Sequence, residues 1–153
     1  MSRLENRVPP PALAIVVGLL MFLTSNFLPQ REPNSLAQWI GIAALLALAG
    51  NFGIRAIRLF NRSETTIDPV RIHRASSLVT SGIYQVSRNP MYVGLTMALC
   101  AWCTWLWSPA LVCGPVAFVA FIHRFQILPE ERVMLEKFGG EYLEYKAKVR
   151  RWL

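Results

Sequence analysis

The residues best suited to chemistry gather in two short stretches. The first is Leu78-Val79-Thr80-Ser81-Gly82-Ile83-Tyr84, followed by Arg88-Asn89-Pro90-Met91-Tyr92-Val93-Gly94. Gly82 permits a turn, and Pro90 presets a helix start where its missing N–H costs nothing. Asn89 then occupies the position of an N-cap. A well-made helix start accounts for Asn89-Pro90 but not for Tyr84, Arg88 and Tyr92 around the same helix N-terminus. Backbone N–H groups there, with Arg88, suit a carboxylate or another anion, and tyrosine rings can stack on a flat ring. The second stretch is Pro129-Glu130-Glu131. It reads either as a solvated first helical turn, whose acidic residues complement the helix dipole, or as a carboxylate site for a cation such as a sulfonium or an α-ammonium.

Other reactive side chains give weaker signals. Cys100 and Cys103 form a C-x-x-C, but within an apolar stretch that has no second pair and no adjacent histidine, so a zinc site lacks ligands and none is expected. Small residues packed at a helix interface are the simpler reading. His73 and His123 have no partner at metal-ligand spacing. Trp39, Trp102, Trp105 and Trp107 read as an aromatic belt at a membrane interface.

The elements that must position these residues are membrane helices. The chain is 54% hydrophobic and only 16% charged over 153 residues, which excludes a disordered chain and leaves room for one domain, residues 1–153. Pro10–Leu28 and Leu36–Ile54 are each nineteen residues without a charge, and Met91–His123 is thirty-three. Nineteen helical residues suffice for a hydrocarbon core of about 30 Å, whereas the longest run as one helix would reach roughly 50 Å. Trp107-Ser108-Pro109 supplies a break, so the expected passes are 10–28, 36–57, 91–107 and 109–127. The first is expected to be a retained helix rather than a cleaved signal.

Net charge is +7, from 16 basic and 9 acidic residues. A nucleic-acid surface would need that charge on a soluble face, and the charge lies elsewhere. With the N-terminus inside, Arg31 falls on the outer side and the other fifteen basic residues on the inner side. That asymmetry sets the orientation, with both termini cytoplasmic and no nucleic-acid partner. The inner side also holds both chemical stretches, in the connection from about 58 to 90 and in the tail from Pro129. In the tail, Val133, Leu135, Phe138, Tyr142 and Tyr145 recur at helical spacing, interrupted at Gly139-Gly140. The expected fold is therefore all-α: a polytopic membrane bundle of about four transmembrane helices, with a cytoplasmic loop and C-terminal amphipathic helices forming a pocket.

Taken together, these blocks resemble the isoprenylcysteine carboxyl methyltransferase family and its wider group of integral-membrane methyltransferases, which includes phospholipid N-methyltransferases. The pattern L-V-T-x-G-x-Y stands here at Leu78–Tyr84, and R-H-P-x-Y-x-G at Arg88–Gly94 with Asn89 in place of histidine. The acidic pair stands at Glu130-Glu131, and F-G-x-E-Y-x-x-Y at Phe138–Tyr145 with Gly140 in its third position. The resemblance covers residues 76–151. It implies transfer of a methyl group from S-adenosyl-L-methionine, leaving S-adenosyl-L-homocysteine, to an acceptor that arrives from the membrane.

By position it assigns Leu78, Val79, Tyr84, Arg88, Asn89, Pro90, Met91, Tyr92, Glu130 and Tyr142 to the cofactor. It assigns Gln126 and Arg124 to the acceptor, and Arg124 and Glu131 to catalysis. An acceptor carboxylate is already ionised near pH 7 and needs no base, whereas an amine or thiol must lose a proton. Asn89 is therefore compatible with a polar or backbone contact at its position. The acceptors implied are an isoprenylcysteine-type carboxylate, a lipid amine or an apolar thiol. The short loops suggest a prokaryotic inner membrane. Two other readings compete, an NADPH-dependent membrane sterol or steroid reductase and a catalytically silent membrane protein of the same fold.

Overall fold

The computed structural model describes residues 8–28, 35–62 and 78–153. His73, Arg3, Arg7, Arg31, Arg71 and Arg74, with the middle of the 58–90 connection, lie outside the described residues. Among the described residues all regular structure is helical. Helix α1 is Pro10–Ser25 and α2 is Leu36–Arg62; a 3-10 turn at Gly82–Gln85 leads to α3, Pro90–Leu106. A second 3-10 turn, Pro109–Val112, opens α4 (Cys113–Ile122), and a π-helical turn at His123–Ile127 joins α4 to α5 (Leu128–Lys148).

Leu36–Leu59 and Pro109–Lys148 contain stretches long and apolar enough to cross a membrane. The apolar helices α1 and α3 are shorter, 16 and 17 residues. At 1.5 Å per residue they reach about 24 and 26 Å, just short of a hydrocarbon core of about 30 Å. Ile15, Val16, Leu19, Leu20 and Leu23 on α1 and Ile40, Leu46, Leu48 and Ile54 on α2 are all exposed. So much exposed apolar surface is costly in water and matched to lipid.

Helix α3 sits at the centre. One apolar cluster joins its Tyr92, Leu99 and Cys103 to Met21 of α1, Phe118 and Ile122 of α4, and Ile127. A second joins Val93 to Phe52 and Ala56 of α2, Ile83 and Tyr84 of the first 3-10 turn, and Tyr142, Tyr145 and Val149. The tail therefore folds back over the C-terminal end of α2 and the N-terminal end of α3. Helices α2 and α3 approach closely at Gly94, where an added Cβ would lie 2.9 Å from the Ala49 carbonyl oxygen and 3.1 Å from the Gly53 nitrogen. Only a residue without a side chain permits that backbone contact.

Trp102 departs from the expected belt. Its indole Nε1 donates to the Gly18 carbonyl at 3.1 Å and its ring stacks on Trp105 at 4.8 Å, so it fastens α1 to α3. The break expected at 107–109 is present: Trp107 adopts φ 50° and closes α3 by donating its N–H to Cys103. The tail differs from separate helices laid on a membrane surface. Helix α4 runs through the π turn into α5, carrying Pro129 within the rod. A proline ring clashes with the carbonyl four residues earlier, and the wider π turn just before Pro129 makes room for it. The interruption falls at Gly139, whose φ of 49° and ψ of −119° suit glycine.

Candidate functional site

The two chemical stretches, thirty-six residues apart from Gly94 to Glu130, meet at the N-terminal end of α3. Pro90 starts α3 and fixes Tyr92 in its first turn; the π turn fixes Glu130 and Glu131 in the first turn of α5. The Tyr92 hydroxyl donates to Glu130 Oε1 at 2.5 Å. Arg88 Nη2 donates to Glu131 Oε1 at 2.8 Å, and Arg151 donates through Nε and Nη2 to both oxygens of Glu131, each at 2.8 Å.

The adjacent carboxylates consequently differ in chemistry. Burial raises the pKa of Glu130 to about 7, against the opposing hydrogen bond from Tyr92, and the neighbouring Glu131 charge adds to the rise. Burial also acts upward on Glu131, but the Arg151 hydrogen bond and the charges of Arg88 and Arg151 outweigh it and hold its carboxyl below the ordinary value. Glu131 is thus an anion already paired with two arginines. Glu130 is the carboxylate whose charge has no cationic side chain against it among its hydrogen-bond partners.

Tyr84 lies beside this pair; its hydroxyl is pushed up by burial first, then by Tyr145 and Glu130. The Tyr145 hydroxyl donates to the Tyr84 carbonyl at 2.7 Å, tying the tail to the Gly82–Gln85 turn. Tyr142 is buried in the same cluster, its pKa raised to about 12 by burial and by Glu131, against Arg88 and Arg151. Leu78 and Val79 pack on that cluster, and Met91 on both clusters. Pro90 is buried at the helix start.

Four residues depart from their sequence-based reading. Asn89 stands at the N-cap position but makes no side-chain cap bond. Its φ of −130° and ψ of 53° turn the side chain away, and Nδ2 donates instead to the Arg151 carbonyl at 2.9 Å. Arg88 is engaged by Glu131 and the Lys146 carbonyl, although its buried Nε has no hydrogen-bond partner among the described residues. Gln126 and Arg124 do not share a surface: Gln126 is fully buried and donates to the Val8 carbonyl at 2.7 Å, whereas Arg124 is exposed, its guanidinium 5.6 Å from the Phe125 ring centre. The Gln126 oxygen is buried without a partner.

Arg151 counts in the sequence only as one of many basic charges, yet it is central to this site. The nearest sequence signal is its place a few residues beyond the Tyr142–Tyr145 pair that turns the tail inward. Among the described residues, no three His, Cys, Asp or Glu side chains are placed to hold a metal. Cys100 and Cys103 instead line an apolar groove of about 670 Å³ between α3 and α4, with Thr96 and His123 also on its wall.

The phospholipid methyltransferase family profile matches residues 36–141. Over 90% of its length the chain is 32% identical to protein-S-isoprenylcysteine O-methyltransferase A of Arabidopsis thaliana, covering 70% of that protein. It is 29% identical to the protein-S-isoprenylcysteine O-methyltransferase of Homo sapiens over 97% of its own length, and spans 52% of that relative. It is also 46% identical, over 63 residues, to an uncharacterized protein of Haemophilus influenzae. No solved structure matches. The chain belongs to the isoprenylcysteine carboxyl methyltransferase family, within the phospholipid methyltransferase group.

Proposed function

We propose that the protein is an S-adenosyl-L-methionine-dependent methyltransferase acting on an apolar acceptor held in the membrane. The observation that carries this reading is the Tyr92–Glu130 pair at the inner end of α3, beside a Glu131 already neutralised by two arginines. A half-buried carboxylate without a cationic partner attracts a positively charged ligand group, and the methyl donor carries both an ammonium and a sulfonium.

The donor set of this chain fits such a ligand. Glu130 would hold the ammonium of its amino-acid part, and the unpartnered Arg88 Nε would meet its carboxylate. Tyr84, Tyr142, Leu78, Val79 and Met91 offer ring and apolar surface for its flat base. Bound there, S-adenosyl-L-methionine supplies an electrophilic methyl group. The chain's residues bind and orient: Tyr92 keeps Glu130 in one rotamer, Pro90 and Asn89 fix the helix start, and the apolar clusters around them exclude water. In this reading Glu131 acts by holding Arg88 and Arg151 in place. Arg124, exposed after α4, is assigned to the acceptor's anionic end at the interface, and buried Gln126 to shaping the inner end of the bundle.

The acceptor reaches this end sideways, its chain lying in the apolar α3–α4 groove and its reactive group near His123 and Thr96. An apolar chain in such a groove leaves neither water nor a polar surface behind. The proposed topology is one domain with four passes, at α1, α2, α3 and residues 109–127, both termini cytoplasmic in a prokaryotic inner membrane. An isoprenylcysteine-type carboxylate, already ionised near neutral pH, is the acceptor class that asks least of this site.

Membranes containing the protein, incubated with methyl-labelled S-adenosyl-L-methionine, should yield a labelled product that partitions into organic solvent. Labelled product equal to that of membranes lacking the protein would overturn the reading.

A further inference from the structure

We propose that Arg151 is a positioning residue, the keystone of a hydrogen-bonded clasp that holds the first turn of α3 against the first turn of α5. Its guanidinium donates to both oxygens of Glu131, while its backbone carbonyl accepts from Asn89 Nδ2 at 2.9 Å and from Ser87 Oγ at 3.4 Å. Next to it, the Arg150 carbonyl accepts the Arg88 N–H at 3.0 Å, and Arg88 returns to Glu131. The bonds thus close a ring through Arg88, Glu131, Arg151 and Asn89. Trp152 packs against both apolar clusters and holds the strap down.

The consequence concerns the neighbouring pair. Glu130 adjoins Glu131 in the chain, and Tyr92 lies one turn beyond Asn89. A ring that fixes Glu131 and Asn89 therefore fixes the short Tyr92–Glu130 contact, although Arg151 touches neither member. It also defines what position 89 requires. The partner of the Asn89 side chain is a carbonyl, which only a donor can satisfy, so this position supplies a hydrogen-bond donor rather than a proton acceptor. Fork-like pairing of arginine with carboxylate is directional, and a lysine at 151 would not reproduce it.

This inference rests on the reading of Tyr92–Glu130 as the cofactor contact, and its test separates the two. Binding of S-adenosyl-L-homocysteine to the purified protein in detergent is measured by calorimetry across pH for wild type, R151A and R151K. Exchange at the Arg88 amide is followed by hydrogen–deuterium mass spectrometry without ligand. R151A should bind about tenfold or more weakly, with R151K in between. The pH midpoint of binding should move up in R151A, because Glu131 then repels the ionised form of Glu130 more strongly. The Arg88 amide should exchange faster in both variants. Equal affinity, midpoint and exchange in R151A and wild type would overturn the proposal. If R151A does not fold, R151K carries the test, and wild-type behaviour of R151K overturns it. If wild type itself binds no S-adenosyl-L-homocysteine, the cofactor reading fails, and the clasp stands or falls on Arg88 exchange alone.

Discussion

Replacing Glu130 with glutamine should stabilise the protein at alkaline pH and, at the same time, remove its site for a cation. The carboxyl titrates at an ordinary 4.5 in the unfolded chain and at about 7 in the fold. Below 4.5 both states are protonated and the contribution of the group to stability is complete. Between the two values the unfolded chain releases a proton that the native state keeps, so stability falls as pH rises. Above about 7 both states are ionised and the native state carries the whole cost of a half-buried carboxylate. The gap between 4.5 and about 7, at ~1.4 kcal/mol per pH unit, amounts to about 3 kcal/mol.

Glutamine keeps an oxygen to accept the Tyr92 hydroxyl but does not titrate. For a chain of this size, about 3 kcal/mol corresponds to a shift of about 6–12 °C in thermal midpoint. Thermal unfolding in detergent micelles at pH 5 and pH 8 should show a fall for wild type that exceeds the fall for E130Q by most of that amount, since part of the loss has already occurred at pH 5. E130Q should be the more stable protein at pH 8 and should not bind S-adenosyl-L-homocysteine. Superimposable pH dependences in the two proteins would refute the assignment of the cost to Glu130.

Three further outcomes follow from the geometry. R88A removes one of two arginines from Glu131, which keeps its pairing with Arg151, and should cost about 1.5–3 kcal/mol of stability by thermal or chemical unfolding. G94A places a methyl group against the backbone of α2 and should cost about 1–3 kcal/mol, read as a lower thermal midpoint in micelles. Y145F leaves the Tyr84 carbonyl without its buried donor, which should cost about 1–2 kcal/mol and speed amide exchange in the Gly82–Gln85 turn.

Much of the architecture can be read from local rules. Charge-free runs locate the helices, Trp107-Ser108-Pro109 marks the hairpin, and Gly139 marks the break in the tail, because each depends on the preferences of a few adjacent residues. Meeting of the two chemical stretches is legible only through the motif pattern. No periodicity reveals that Tyr92 reaches Glu130, thirty-eight positions away.

What stayed hidden is long-range and backbone-mediated. Asn89 looks like an N-cap, yet its bond goes to a carbonyl sixty-two residues on. A backbone acceptor has no residue type to betray it. Nor do local rules distinguish Glu130 from Glu131; only the motif pattern separates them, and the physical difference lies in which of two adjacent side chains meets the arginines. The same holds for Trp102, which looks interfacial by composition and is half-buried against Gly18 by tertiary packing.

The central claim is that the Tyr92–Glu130 pair belongs to a methyl-donor site, and calorimetry on the purified protein in detergent at pH 8 tests it most directly. The account predicts binding of S-adenosyl-L-homocysteine that weakens by about tenfold per pH unit below 7, is abolished in E130Q, and has no counterpart with NADPH. Saturable NADPH binding without S-adenosyl-L-homocysteine binding, or equal S-adenosyl-L-homocysteine affinity in wild type and E130Q, would contradict it.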